Sequence, residues 1–287
     1  MKKSVSLLLA GLMLCGALAG CGGSNDSAES TTSTDTESTG TSGAIHVVSR
    51  EDGSGTRGAF VELTGVEDDH GDNTTVDAEI ANRTDAVLTT VAGNEAAIGY
   101  VSLGSLNDTV KAVTVDGVEA TVDNVKSGDY TLSRPFNIAT KGEPTGVAKD
   151  FINFILSADG QAIVGEDYIT VNNNAEAFTS DGSSGHITVG GSSSVSPVME
   201  QLIEAYKAVN PNAQIDLQTS DSTSGMTGAM DGTFAIGMAS RELKDEEAAE
   251  LTGTAIALDG IAVIVNTANT VDNLTMDQIR SIYVGET

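Results

Sequence analysis

Three times along this chain a short apolar strand pattern runs into a turn of serine, threonine and glycine, and the turn runs into a helix pattern. The first unit has a strand at 44–49. It continues through Ser49-Arg50-Glu51-Asp52-Gly53-Ser54-Gly55-Thr56-Arg57 into a helix at 57–63. The second has a strand at 186–189 and the turn Gly190-Gly191-Ser192-Ser193-Ser194-Val195-Ser196-Pro197. Its helix follows at 198–209, with Ser196 as N-cap and Pro197 at the first helical position. The third has a strand at 215–218, a polar turn at 219–225 and a helix to about Gly232. Between these units the patterning predicts helices at 82–91, 146–164 and 274–283. Strands are predicted at 97–101, 110–115, 133–139, 234–238, 255–258 and 261–265, the last two flanking Asp259-Gly260. Strands alternating with helices imply an α/β architecture with mainly parallel sheets.

The chain carries an address at its start. Met1-Lys2-Lys3 is a positive n-region, and an apolar run follows, ending in Leu18-Ala19-Gly20-Cys21. The layout is that of an export signal, too short to span a bilayer. Its ending resembles a bacterial lipoprotein signal, which implies cleavage before Cys21 and lipidation of that thiol. Cys15 would leave with the signal at 1–20, so no internal disulfide is available to the mature chain. Residues 21–43 then read as a disordered Ser/Thr/Gly/Asp/Glu tether lifting a folded body off a membrane. The expected localisation is the extracytoplasmic face of the cell membrane, lipid-anchored.

The formal net charge of -27 argues against a nucleic-acid partner, because a phosphate backbone would be repelled. A small anion can still bind where the site itself is built from donors. Tryptophan is absent and aromatics are few, which weakens a carbohydrate reading. No G-x-x-x-x-G-K-[ST] or G-x-G-x-x-G loop is present, and His46, His70 and His186 are scattered rather than clustered with cysteine, so no metal site or cofactor is expected.

The three turns place hydroxyls and glycines where helices begin, and unpaired N–H groups at such ends favour an anion. Arg50 offers a guanidinium fork to two oxygens, or else pairs with a nearby acid. Asp52 either orients Arg50, accepts a hydrogen bond from a protonated ligand oxygen, or makes an Asx-type turn. The second role would favour phosphate over sulfate. Arg241, directly after Ser240, either faces the cleft or pairs with Asp52 or Glu242.

Several segments together resemble the phosphate-binding lipoproteins of bacterial phosphate ABC transporters. They are Ser49 through Arg57, Gly191 through Pro197, Thr223-Ser224-Gly225, and Gly237-Met238-Ala239-Ser240-Arg241-Glu242-Leu243. The apolar run Ala257 through Asn266 and the helix ending Leu156-Ser157-Ala158-Asp159-Gly160-Gln161 join them. The resemblance implies the periplasmic-binding-protein type II fold: two α/β lobes joined by crossing strands, with a ligand cleft between them. It implies phosphate contacts from Arg50, Asp52, Ser54, Gly55 and Thr56 on one lobe. From the other come Ser193, Ser194, Val195, Thr223 or Ser224, Ser240 and Arg241, partly through backbone N–H groups. Some family members carry an acid where Arg241 stands, so here the proton-accepting role would fall to Asp52.

The order of segments departs from the family, in which the Gly-Ser-rich turn at 191–197 comes first and the Arg50 turn follows. Here residues 44–171 would supply the second lobe and a return segment, 172–185 a linker, and 186–287 the first lobe with its crossover. Either a self-contained circular permutant or a truncated longer protein fits this order, and lobes paired between molecules are a third arrangement. The implied function is an extracytoplasmic receptor, a monomer, that captures inorganic phosphate for an ABC-type phosphate permease without covalent chemistry. The alternatives are a receptor for sulfate or molybdate, a phosphatase-like secreted enzyme, or a surface protein that kept the fold and lost binding.

Overall fold

The three strand–turn–helix units form, and their strands share one sheet. The computed structural model describes residues 44–286. The export signal, Cys21 and the tether lie outside the described residues, which all fall within one compact unit.

The strands that position the site are β1 (His46–Arg50), β2 (Glu79–Ala81), β3 (Ala97–Ser102), β4 (Ser133–Thr140), β5 (Gly185–Ser192), β6 (Ala213–Ser220), β7 (Ile236–Ala239) and β8 (Thr252–Asn266). The helices are α1 (Gly55–Thr64), α2 (Thr84–Gly93), α3 (Gly146–Leu156), α4 (Ala158–Asp167), α5 (Ser196–Val209), α6 (Ser222–Asp231) and α7 (Met276–Val284). The spatial order of the strands is β6-β5-β7-β4-β8-β3-β1-β2. One half is parallel through β5 with β6 and β7; the other is parallel through β1 with β2 and β3. Between them β4 and β8 run antiparallel to each other and to their outer neighbours. The expectation of mainly parallel sheets therefore holds within each lobe, while the crossing strands that join the lobes are antiparallel.

Each lobe has its own core. One gathers Phe136, Phe151, Phe154, Val189, Met199, Leu202 and Tyr206. The other stacks Phe60 on Tyr100, centroids 3.9 Å apart, with Tyr283 against the edge of Phe60. Strand β8 is apolar from Ile261 to Val265, and its two faces show why. Ile261, Val263 and Val265 face the Phe60 side, and Ala262 and Ile264 face a second cluster with Val87 and Val91. Alternate side chains of this run pack into apolar clusters on opposite faces of the sheet, so all five positions are apolar.

Four local expectations need correction. The helix read at 146–164 is two helices, broken at Ser157. That hydroxyl caps the next turn at Gly160 N–H, and a Cβ at Gly160 would lie 2.2 Å from the Phe154 carbonyl oxygen. Ser196 is not the N-cap of α5. Val195 holds that position, and the Ser196 hydroxyl donates to the Ser192 carbonyl and meets Thr219 Oγ1. The run at 110–115 is two short strands, Val110–Ala112 on β8 and Thr114–Val115 in a separate two-stranded sheet. Lastly, Asp259-Gly260 does not interrupt β8. Asp259 is buried opposite its register partner Arg134, so its charge is matched inside the sheet rather than turned to water.

Residues 172–184 contain no helix or strand, yet they are pinned to the body. Ala158 N–H donates to the Glu176 carbonyl at 2.8 Å, and Phe178 packs on Phe154 and Tyr206. The buried Asp150 carboxylate accepts from the Ser180 hydroxyl, Asp181 N–H and Tyr206.

Candidate anion-binding site

Arg50 ends β1 and is 2% exposed. Its Nε and Nη2 grip the two oxygens of Glu51 at 2.9 and 2.8 Å, and Nε also donates to the Ala81 carbonyl. Nη2 then reaches across to the other lobe and donates to Ser193 Oγ at 3.1 Å. The strand ends there because the next residues must turn into α1, and the turn aims the last strand side chain at the cleft.

One turn later Thr56 lies in the first turn of α1. Its Oγ1 is 2.8 Å from Ser194 Oγ and 3.4 Å from Ser240 Oγ, both on the opposite lobe. Ser192 Oγ donates to Ser240 Oγ at 3.0 Å, and Ser240 N–H donates to Ser222 Oγ at 3.0 Å. Thr84, at the start of α2, adds its hydroxyl 3.3 and 3.4 Å from Ser193 and Ser194. All these hydroxyl-bearing residues are buried. Gly55 lets the lobes approach: a Cβ there would lie 2.3 Å from Ser222 Oγ and 2.9 Å from Ser240 Oγ. Ser54 caps α1 by accepting from Arg57 N–H, and the first N–H groups of the helix have no intrahelical partner.

Arg50, Gly55, Thr56, Ser193, Ser194 and Ser240 are thus brought together, while the Ser54 hydroxyl is spent on capping α1. Five residues read from the turns lie elsewhere. Asp52 has a side chain 96% exposed, and its carboxylate is held by Arg57 at 2.7 Å rather than by Arg50. Arg57 is fixed in turn by Asp72 and by the Arg50 carbonyl. Arg241 puts both Nη atoms on the buried Glu247 carboxylate at 2.7 and 2.8 Å, a pairing that was not among the sequence expectations. Thr223 meets Arg241 Nη2 at 3.4 Å, and Ser224 is exposed, its hydroxyl and N–H on the Asp221 carboxylate that caps α6. Val195 packs in the core, and its N–H is taken by the Ser192 carbonyl.

Sequence reading missed Thr84 and Arg134. Arg134 is buried on β4 and forms an ion pair with Asp259. Its signal was present as one charge of opposite sign in each of two strand patterns, but only their register in the sheet makes them partners. Burial pushes the Asp259 carboxyl up to about 6, against the pull of the Arg134 charge. Burial also pushes the Tyr100 phenol up to about 12, so it stays a neutral partner for Ser49 Oγ and Arg50 N–H.

The arrangement is a buried cluster of hydroxyls from both lobes, backed by two guanidiniums that already have carboxylate partners. Hydroxyls both donate and accept, so such a cluster can meet bare and protonated oxygens alike. Among the described residues no group of three or more His, Cys, Asp or Glu side chains is placed to hold a metal ion.

The chain matches the PBP superfamily domain over residues 25–159 and 176–287. It is 48% identical to "Phosphate-binding protein PstS 2" of Streptococcus agalactiae over 293 residues, covering 99% of this chain and 96% of that protein. The protein of the same name from Streptococcus pneumoniae is 45% identical over 290 residues, with the same coverage of 99% and 96%. A crystal structure described as a phosphate ABC transporter, phosphate-binding protein from Streptococcus pneumoniae TIGR4 is 46% identical. It superposes with a TM-score of 0.69, covering 85% of this chain and 97% of that one. The two-lobed fold and the near full-length identity agree: this chain belongs to the phosphate-binding protein family within the PBP superfamily.

Proposed function

We propose that this chain is an extracytoplasmic receptor that captures inorganic phosphate between its lobes and hands it to an ABC-type permease, performing no covalent chemistry. The observation that carries this reading is the bond from Arg50 Nη2 on one lobe to Ser193 Oγ on the other within a single chain. It is supported by near full-length relatives that carry the name of phosphate-binding proteins. The anion is taken by Arg50, Thr56, Ser193, Ser194 and Ser240, with the N–H groups at the start of α1. Serine oxygens such as Ser194 Oγ accept a hydrogen bond from the P–OH group that phosphate retains near neutral pH and sulfate lacks, a role that Asp52 on the surface does not fill. The receptor works as a monomer, anchored by lipid at Cys21 on the outer face of the membrane.

The lobe order is read as a circular permutation. Ile45, just before β1, lines one small cavity with Ser281 and Ile282 of α7. Tyr283 Oη donates to the Val48 carbonyl at 3.3 Å, and Thr75 N–H donates to the Tyr283 carbonyl at 2.7 Å. Helix α7 therefore ends against the strand that would follow it in the unpermuted order, and neighbouring ends tolerate such rejoining.

Titration calorimetry of the chain with phosphate, sulfate and molybdate tests the function. Saturable one-to-one phosphate binding, with sulfate much weaker, is expected. Preference for sulfate or molybdate would reassign the ligand, and turnover of a simple phosphate ester would replace the receptor reading.

A further inference from the structure

Arg134 stands on a crossing strand, outside every serine-rich turn, yet it touches both lobes of the cleft. Its Nη2 donates to Thr56 Oγ1 at 3.1 Å on one lobe, and its Nε donates to the Ser240 carbonyl at 3.2 Å on the other. Nη1 holds the Asp259 carboxylate and the Gly260 carbonyl, and the guanidinium lies 5.2 Å from the centroid of the Phe136 ring. Every contact is on buried atoms, so the side chain is held at three nitrogens and has no freedom to swing.

Proton counting gives this contact a direction. A guanidinium only donates, while a threonine hydroxyl has one hydrogen and two lone pairs. Thr56 Oγ1 must therefore accept from Arg134, and its one hydrogen points away, toward the side where Ser194 and Ser240 lie. Arg50 does the same to Ser193 from the far side of the cluster. We infer that Arg134 is a positioning residue for oxyanion capture: it holds the Thr56 hydroxyl in the donor role toward the ligand, with Asp259 as the counter-ion that keeps the guanidinium in place. This rests on the reading of the cleft as an anion site. An isolated hydroxyl would divide its time between donating and accepting; one already accepting from a fixed cation meets an anion without reorganising.

A double-mutant cycle with Thr56→Val and Arg134→Lys tests it, read by calorimetric phosphate and sulfate binding to the full chain. The single ammonium of lysine is drawn to Asp259 and cannot also serve Thr56. Each single variant is expected to weaken phosphate binding about tenfold or more, the scale of one hydrogen bond to a charged group. The double variant is expected to be no more than about threefold weaker than Thr56→Val alone, because Arg134 acts through that hydroxyl. Single effects that multiply, or an Arg134→Lys variant that binds like the parent, would overturn the role. Should Arg134→Lys fail to fold, a crystal structure of the parent chain with phosphate decides. Thr56 Oγ1 within hydrogen-bond reach of both Arg134 Nη2 and a phosphate oxygen supports the inference, and loss of either contact overturns it. A parent chain that binds neither anion overturns both this role and the receptor reading, whereas normal parent binding with multiplying effects removes the Arg134 role alone.

Discussion

Thr223 N–H donates to the Gly53 carbonyl at 3.1 Å, a backbone hydrogen bond that joins the two lobes beside the hydroxyl cluster. A Cβ at Gly53 would lie 2.3 Å from Asp221 Oδ1 and 2.7 Å from its carboxylate carbon. Glycine is required here by the close approach of the lobes, because Asp221 is committed to capping α6 and cannot withdraw without freeing Ser224 N–H.

Gly53→Ala should therefore hold the cleft partly open. The expected cost is about 1–3 kcal/mol in phosphate affinity, roughly 5- to 150-fold, the usual scale of overpacking a fitted contact. Thermal unfolding without phosphate should change little, because the clash exists only when the lobes meet. Small-angle scattering would check the mechanism: the compaction expected of the parent chain on adding phosphate should be reduced in the variant.

Asp52→Asn should leave the ratio of phosphate to sulfate affinity unchanged. The Asp52 carboxylate is exposed and lies on Arg57, outside the hydroxyl cluster. Parallel titrations of parent and variant with both anions measure the ratio directly. A fall in selectivity would restore the proton-reading role that the turn motif suggests.

Arg241 and Glu247 should matter for stability rather than for ligand contact. Burial pushes the Glu247 carboxyl up, but hydrogen bonds from Arg241 and Lys244 N–H, with the Arg241 charge, hold it below its ordinary value of 4.5. A lowered folded pKa means the stabilisation is complete above the unfolded value and is lost as pH falls through the folded one. Glu247→Gln should cost roughly 3 kcal/mol near neutral pH by leaving a buried guanidinium unpaired. The gap between parent and variant, followed by denaturant unfolding, should narrow as pH drops below about 4.5. Phosphate affinity near neutral pH should stay within a few-fold of the parent.

A re-permuted chain should also fold and bind. Residues 1–43 would be followed by 172–287, a short glycine-serine joint, and then 44–171, which keeps the pinned segment at 172–184. The expected outcome is one cooperative unfolding transition and retained phosphate binding, because α7 already ends against β1. Loss of folding with several joint lengths would count against the permuted reading.

The local periodicities and turn residues of this chain determined most of what a sequence can specify on its own. The apolar runs that make β1, β5 and β7, the amphipathic stretch of α5, and the serine-glycine turns at Arg50 and Ser193 are all legible, because each depends on neighbours a few residues away. The family resemblance rested on those same turns. Tertiary structure decided which side chains of a turn face the cleft. Asp52 and Ser194 sit in equally polar turns, yet one is on the surface with Arg57 and the other is buried against Thr56. The continuity of β8 through Asp259, and the place of Arg134 behind Thr56, were likewise settled only by strand register across 125 residues of chain. A charge in an apolar strand reads as an interruption until its partner is brought beside it, and that partner is set by how the sheet is assembled, not by anything nearby in the chain.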